Sequence, residues 1–218
     1  MTPLVKICGL STPETVDAAL DAGADMIGLV RFPKSPRHVE LETGAALAGR
    51  ARGRADVVAL LVDPDDAELA RTLEALRPDL LQLHGRESPE RVADIRARFG
   101  VTVMKAVGIA GPGDVAGLAA YAAVADRLLV DAKPPADAGA LPGGNGLSFD
   151  WRLVAGLDPG RPLMLSGGLD AGNVGKALRL TGLAGVDVSS GVEHKPGQKS
   201  PERIAAFVRA ARSADRIA

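Results

Sequence analysis

The sequence is poor in cysteine, in aromatic residues and in excess charge of either sign, and these shortages exclude several classes of protein. One cysteine among 218 residues cannot form an intramolecular disulfide, and with 3 histidines it gives no cluster at the spacing of a structural zinc site. The 26 basic and 27 acidic residues nearly cancel, which argues against nucleic-acid or membrane-surface binding. No apolar run approaches the ~20 residues of a membrane span, and the N-terminus lacks the apolar core of a secretory leader. We therefore expect a soluble, cytoplasmic protein.

Short aliphatic and β-branched runs recur along the chain, each followed by a helix-like stretch. They predict eight strands, at Val5–Cys8, Met26–Val30, Val57–Val62, Leu80–His84, Val101–Ala106, Arg127–Asp131, Leu163–Ser166 and Gly185–Ser189. Each gap has room for one helix with its loops. A hydroxyl residue followed by Pro-Glu, at residues 12–14, 88–90 and 200–202, predicts three helix starts. Gly23 and Gly100 predict helix ends.

Strands that alternate with helices allow a closed (β/α)8 barrel or an open doubly wound sheet. A dinucleotide-binding open sheet would place Gly-x-Gly-x-x-Gly directly after its first strand, whereas Cys8-Gly9-Leu10-Ser11 stands there. The even spacing, the eightfold count and the length predict an α/β protein with a single (β/α)8 TIM barrel domain over residues 1–218. The two widest gaps follow Val30 and Asp131, and predict long loops at the substrate-binding end of the barrel.

Polar residues stand at several predicted strand ends, where the catalytic groups of a barrel lie. Strand alternation places Lys6 and Cys8 on the inward face, because Val5 and Ile7 must pack against helices. Five further polar residues stand at or near strand ends: Gln82, His84, Asp131, Asp187 and Ser189. Several ionisable groups at one barrel mouth indicate a candidate active site.

These residues also have purely structural interpretations. Cys8 is compatible with a small buried core residue, and Asp131 with a cap on the following turn. His84 is equally compatible with a hydrogen-bonded structural histidine. Lys6 is compatible with a partner that neutralises Asp187.

Glycine-rich turns follow predicted strands seven and eight. Ser166-Gly167-Gly168-Leu169 and Ser189-Ser190-Gly191 occupy the positions at which barrels bind phosphate through backbone N–H groups, although Gly-Gly is also compatible with a simple turn. The loop after strand two carries Lys34 and Arg37, which are either solvated charges or ligands, and Arg suits bidentate capture of a carboxylate. The residues alone thus indicate a cofactor-free barrel enzyme acting on a small phosphorylated, carboxylated substrate.

Six segments together carry a more specific signature. They are Lys6-Ile7-Cys8-Gly9, Phe32-Pro33-Lys34-Ser35-Pro36-Arg37, Leu81-Gln82-Leu83-His84-Gly85, Gly143-Gly144-Asn145-Gly146 with Phe149-Asp150-Trp151, Ser166-Gly167-Gly168-Leu169, and Gly185-Val186-Asp187-Val188-Ser189-Ser190-Gly191-Val192-Glu193. In this order and spacing, from residue 4 to about 208, they resemble the phosphoribosylanthranilate isomerase family of tryptophan biosynthesis. The first and last segments are specific to it, whereas Gly-Gly is widespread. The chain departs from the family pattern at Asn145, at 147–148 and at Ser200, the last of which is still a good helix cap.

The resemblance implies an Amadori rearrangement of N-(5-phosphoribosyl)anthranilate to 1-(2-carboxyphenylamino)-1-deoxyribulose 5-phosphate, with no metal or organic cofactor. It implies that Cys8 is the base at sugar C2 and that Asp131 is the acid at the ring oxygen. Cys8 must then be shifted toward the thiolate, for which Lys6 is a source of positive potential. Asp131 must hold a proton, which partial desolvation favours.

The resemblance also implies the substrate contacts. Arg37 is implied to hold the anthranilate carboxylate, and His84 and Lys6 are implied to support the site. The sugar phosphate is implied to bind at Gly167, Gly168, Ser189, Ser190 and Gly191. The expected partner is this small molecule alone, with neither nucleic acid nor membrane, and with 3% aromatic residues we expect a monomer.

Two other functions remain open from the sequence. A sugar-phosphate isomerase of histidine biosynthesis would have aspartates at the ends of strands one and five, where Cys8 and Lys105-Ala106 stand here. A barrel that binds a phosphorylated metabolite without catalysis would tolerate loss of Cys8 or Asp131, and both residues are present.

Overall fold

The structure, a computed structural model, describes residues 2–134 and 143–214, and its eight main strands close into a parallel barrel in chain order. The strands are β1 (Leu4–Cys8), β2 (Met26–Arg31), β3 (Asp56–Leu61), β4 (Leu80–Leu83), β5 (Val103–Ile109), β6 (Arg127–Ala132), β7 (Leu163–Leu165) and β8 (Gly185–Val188). β1 closes the barrel by pairing with both β2 and β8, so that Lys6 lies beside Met26 on one side and Asp187 on the other. The predicted (β/α)8 architecture is confirmed.

Helices cover the outside of the barrel, and their starts follow the predicted capping pattern. They are α1 (Pro13–Asp21), α2 (Leu41–Ala51), α3 (Asp66–Leu76), α4 (Pro89–Phe99), α5 (Pro112–Ala116), α6 (Leu118–Ala122), α7 (Val174–Thr181) and α8 (Pro201–Ser213). The hydroxyl groups of Thr12, Ser88 and Ser200 each accept a hydrogen bond from the N–H group three residues later, as expected of N-caps. Gly100 ends α4 in the left-handed conformation, whereas α1 ends shortly before Gly23.

The structure differs from the predicted elements in several places, among them two short helices, α5 and α6, between β5 and β6. β5 runs past Lys105-Ala106 to Ile109, because it continues to pair with β6 and its Gly108 permits the close approach of Lys133 Cα. Between β6 and β7 the described residues form a short 3₁₀ helix, Trp151–Val154, in place of an α-helix. An antiparallel hairpin, β9 (Glu193–Lys195) with β10 (Gln198–Lys199), lies between β8 and α8.

Apolar side chains pack on both faces of the barrel sheet, and a small apolar group lies at the barrel mouth. Outward-facing residues such as Val5 and Ile7 pack against the helices, as predicted. The interior is filled by Met26, Val58, Leu80, Met104, Ala106, Leu129 and Met164. At the carboxyl ends of the strands, Cys8 packs with Val30 and Leu60. Within the described ranges, no helix has the length and apolar character needed to span a bilayer.

Candidate active site

A cleft of about 750 Å³ opens over the carboxyl ends of the barrel strands. Nine of the functional candidates named from the sequence line it: Cys8, Arg37, His84, Asp131, Gly167, Gly168, Asp187, Ser189 and Ser190. One part of its wall is apolar and consists of Val30, Phe32, Leu60 and Val62. Asn145 and Leu147, where the chain departs from the family pattern, also line the cleft. The strand ends thus bring the predicted residues into one site.

Cys8 lies at the end of β1, and its thiol lies beside the buried ammonium group of Lys6, since both groups border Gly28. Lys6 Nζ donates to Asp187 Oδ1 at 2.8 Å, while Ser166 Oγ donates to Asp187 Oδ2 at 3.1 Å. Gly28 makes room for this pair, since a Cβ there would lie 2.9 Å from Cys8 Sγ. Burial raises the pKa of the Cys8 thiol, and the charge of Lys6 offsets this only in part. Lys6 therefore acts in the predicted direction, but the net shift is toward the thiol.

Asp131, near the end of β6, contacts His84, which directly follows β4. Asp131 Oδ1 accepts a hydrogen bond from the Ala132 N–H at 2.8 Å, and Oδ2 lies 3.4 Å from His84 Nε2. His84 Nδ1 lies 2.9 Å from Gln82 Nε2, so the predicted inward pairing of these two residues is correct. The backbone at Gly143 covers Asp131 and His84, because a Cβ there would lie 2.7 Å from His84 Nε2. The backbone thus holds one carboxylate oxygen of Asp131, and the other oxygen lies at the cleft beside His84.

Arg37 is buried at the mouth of the barrel, while its loop neighbour Lys34 is exposed. Its Nε and Nη2 donate to the two carboxylate oxygens of Glu193 at 2.7 and 2.8 Å, and Nη2 also donates to the Gly144 carbonyl at 3.1 Å. Among the described residues, Nη1 has no hydrogen-bond acceptor. A Cβ on Gly9 (φ +78°) would lie 2.6 Å from Arg37 Cδ, and one on Gly144 (φ +73°) would lie 2.5 Å from Nη1. Two glycines therefore make the space that the arginine occupies.

Glu193 and Lys199 of the hairpin belong to the site, although the sequence analysis does not predict either of them as a site residue. Lys199 Nζ donates to Glu193 Oε1 at 2.7 Å and to the carbonyl and hydroxyl oxygens of Ser189 at 2.9 and 3.1 Å. Burial alone would raise the pKa of Glu193, but the hydrogen bonds from Arg37 and the charge of Lys199 hold it below its usual range. Burial lowers the pKa of Lys199 to about 8, against the opposing charge of Glu193. The only sequence signal was that Glu193 ends the last family segment.

The two glycine-rich turns meet on the other side of the cleft. Gly167 (φ +88°) and Gly168 (φ +65°) are left-handed, and a Cβ on Gly168 would lie 2.8 Å from Ser148 Cβ. In the described part of the chain, neither the Gly168 N–H nor the Ser190 N–H is hydrogen-bonded to protein. Gly191 does not line the cleft, and a Cβ there would overlap the carbonyl of Leu169, which ends the Ser166–Leu169 turn. Unpaired N–H groups beside left-handed glycines form a suitable site for an anion.

Side chains that could bind a metal ion do not form a cluster among the described residues. Within residues 2–134 and 143–214, no group of three or more His, Cys, Asp or Glu side chains is placed to hold a metal ion. The thiol and the carboxyl group at the cleft can transfer protons, and the guanidinium group and the free N–H groups can bind anions.

Comparisons with known proteins agree with one another. The family described as N-(5'phosphoribosyl)anthranilate (PRA) isomerase matches residues 5–210. A protein of Azorhizobium caulinodans named N-(5'-phosphoribosyl)anthranilate isomerase is 67% identical over 211 residues, which are 97% of this chain and 92% of that protein. The solved phosphoribosyl anthranilate isomerase of Thermotoga maritima has a TM-score of 0.87 and 32% identity, over 97% of this chain and 99% of that one.

A second solved structure is similar over the same shares of both chains, with a TM-score of 0.83 and 30% identity. It is a phosphoribosyl anthranilate isomerase in complex with reduced 1-(o-carboxyphenylamino)-1-deoxyribulose 5-phosphate. Because the family match and the relative both span nearly the whole chain, the family is established. This chain belongs to the N-(5'-phosphoribosyl)anthranilate isomerase family.

Proposed function

We propose that this protein isomerises N-(5-phosphoribosyl)anthranilate to 1-(2-carboxyphenylamino)-1-deoxyribulose 5-phosphate, a step of tryptophan biosynthesis, with Cys8 as base and Asp131 as acid. The observation that supports this most directly is that the thiol and the carboxyl group line one cleft together with Arg37 and the turns of Gly168 and Ser190. A proton donor and a proton acceptor that share a cleft with two groups suited to anions match a substrate that carries a carboxylate at one end and a phosphate at the other.

Each part of the substrate has a chemically matching part of the cleft. The apolar wall, formed by Val30, Phe32, Leu60 and Val62, suits the anthranilate ring. Arg37 Nη1 suits the ring carboxylate, since guanidinium groups bind carboxylates well. The N–H groups of Gly168 and Ser190 suit the phosphate. The ribose would then lie between Cys8 and Asp131.

The proton transfers of the reaction balance without a cofactor. Asp131 donates a proton to the ribose ring oxygen, the bond from that oxygen to C1 breaks, and C1 forms a double bond to the anthranilate nitrogen. The Cys8 thiolate removes the proton from C2, and the electron pair moves into a C1–C2 double bond to give an enolamine. The enolamine loses its hydroxyl proton and gains one at C1, which yields the ketone. No atom is gained or lost, so acid–base catalysis is sufficient.

The proposed activity is tested by mixing the purified protein with freshly made phosphoribosylanthranilate and following the loss of anthranilate-type fluorescence. We expect decay well above the spontaneous rate, with saturation as substrate rises. Decay at the spontaneous rate, together with saturable binding of the phosphosugar, would contradict the proposal and favour a barrel that binds without catalysis.

We also propose that the enzyme is a cytoplasmic monomer. Among the described residues, the large apolar side chains that are clearly exposed are Leu147 and Leu180, and Leu147 belongs to the cleft. Two separate leucines are too little for a stable apolar interface. Sedimentation velocity at micromolar concentration checks this, and a dimer mass would contradict it.

Replacement of Arg37 by lysine should weaken substrate binding more than turnover. Lysine keeps the positive charge but lacks the planar guanidinium group. In Arg37 this group bonds Glu193 through Nε and Nη2 and presents Nη1 to the ligand. One or two charge-assisted hydrogen bonds are worth about 1.5–3 kcal/mol. We therefore expect KM to rise by about tenfold to a hundredfold. Lys34→Ala, in the same loop but exposed, is the matched control, and an unchanged KM in Arg37→Lys would refute the assigned contact.

Replacement of Gly168 by alanine should impair the phosphate site. The new Cβ would lie 2.8 Å from Ser148 Cβ at a φ of +65°, so the turn and its N–H group must shift. We expect a KM increase of about tenfold and weaker inhibition by inorganic phosphate. Gly160→Ala is the control, because Gly160 has a similar φ of +72° with no atom within 4 Å of its Cβ position. Equal effects of the two variants would show that backbone strain alone is responsible.

A further inference from the structure

The proposed carboxylate anchor, Arg37, is already paired with a carboxylate of the protein. Glu193 accepts two hydrogen bonds from it, and both side chains are about 5% exposed or less. A buried arginine–glutamate pair has no net charge and is a poor attractor for a second carboxylate. The ammonium group of Lys199 bonds the same Glu193 oxygen at 2.7 Å. With Lys199 protonated, the three side chains together carry one net positive charge.

Lys199 also connects the two anion sites. Its remaining two hydrogen bonds go to the carbonyl and hydroxyl oxygens of Ser189, which precedes the unpaired N–H group of Ser190. The hairpin that carries Lys199 is itself fixed against the Arg37 loop, because a Cβ on Gly197 (φ +81°) would overlap the Pro36 carbonyl. One buried ammonium group thus holds both the residue that orients Arg37 and the turn proposed to bind phosphate.

We propose that Lys199 is a positioning residue for substrate binding: its charge makes the Arg37–Glu193 pair cationic, and its hydrogen bonds join the carboxylate and phosphate sites. This inference rests on the proposed function, since it names a residue that sets the affinity of the same cleft. When Lys199 loses its proton, the cluster becomes neutral and its bonds to Glu193 and Ser189 weaken.

Burial of Lys199 makes this loss of the proton accessible near physiological pH, although Glu193 opposes it. Its charged and titratable neighbours are Glu193 on β9, Arg37 in the loop after β2 and Cys8 on β1, while Arg203 of α8 bonds the Glu193 carbonyl. Burial lowers the pKa of Lys199 to about 8. The ammonium form, and with it tight binding, is therefore present below pH 8 and is lost as the pH rises through that value.

The test measures binding without turnover, in the Cys8→Ala background so that thiol ionisation does not contribute. The probe is reduced 1-(o-carboxyphenylamino)-1-deoxyribulose 5-phosphate, and its Kd is measured by calorimetry from about pH 7 to about pH 9.5, where its carboxylate and phosphate stay ionised. We expect Lys199→Met to raise Kd at least about tenfold at pH 7. Lys195→Met, on the same hairpin but exposed, should leave Kd unchanged.

The pH dependence distinguishes a charge effect from a packing effect. With Lys199 present, affinity should fall with a midpoint near pH 8, and with Lys199→Arg it should stay tight and nearly constant because arginine does not titrate in this range. The Lys199→Arg variant tests the charge effect even if Lys199→Met does not fold. An affinity that falls with pH identically for Lys199 and for Lys199→Arg, or a Kd that is unchanged in Lys199→Met, would overturn the inference. If the protein with Cys8 intact neither binds the probe nor turns over substrate, the proposed function itself fails instead.

Discussion

Cys8→Ala should lower kcat by about 10²–10⁴, the usual contribution of a general base, while the protein still folds and binds the reduced product analogue. The thiol lies at the strand end beside the Lys6 ammonium, and it packs only against the small group at the mouth that includes Val30 and Leu60. Loss of one sulfur atom there leaves the barrel interior intact. The measurement is kcat from fluorescence decay, with thermal melting as the fold control. Near-normal kcat in the purified variant would remove Cys8 from the mechanism.

The ionisation of the Cys8 thiol can be measured directly by alkylation, because Cys8 is the single cysteine of the chain. Burial outweighs the charge of Lys6 and raises the pKa of Cys8, so the free enzyme should hold little thiolate at neutral pH. The rate of alkylation by iodoacetamide should then rise by about tenfold per pH unit through pH 8. The reduced product analogue should slow alkylation by filling the cleft. A rate that is already constant near pH 7 would mean that Lys6 outweighs burial.

The barrel and most of its candidate site could be predicted because they follow from local patterns. Eight apolar runs at even spacing specify the strands, and the alternation of side chains along β1 determines that Lys6 and Cys8 face inward. The carboxyl ends of parallel strands lie at one end of the barrel regardless of the conformations of the loops. Cys8 and Asp131 could therefore be assigned to one end of the barrel from the sequence alone.

The cluster around Arg37 could not be predicted in this way, because it depends on contacts between distant loops. Glu193 lies 156 residues from Arg37 along the chain and belongs to a three-residue strand, which is too short to show a period. Gly9 and Gly144 are visible in the sequence as glycines, but the arginine that needs their space is not. The family resemblance therefore implied the carboxylate anchor, Arg37, but gave no indication of its partner Glu193 or of Lys199.

Asp131→Asn should lower kcat by about 10²–10⁴, because an amide has nearly the same shape but cannot deliver the proton to the ribose ring oxygen. The Ala132 N–H should keep the amide oxygen in the place of Oδ1, so the NH₂ group would face His84 and the cleft. The site should thus retain its shape, and the Kd of the reduced product analogue should stay within about threefold. Asp158→Asn, at an exposed turn, is the matched control. A variant that retains most of its kcat would show that ring opening needs no acid from Asp131.

The double variant Cys8→Ala/Asp131→Asn tests whether the two residues act in separate steps. Asp131 is assigned to ring opening and Cys8 to the later removal of the C2 proton, and each substitution should slow only its own step. The overall rate is then limited by whichever step is slower, since loss of the acid changes the rate of ring opening but not its equilibrium. The double variant should accordingly turn over about as fast as the slower single variant. If the two losses multiply instead, both groups act in one transition state, and the stepwise assignment of acid and base is wrong.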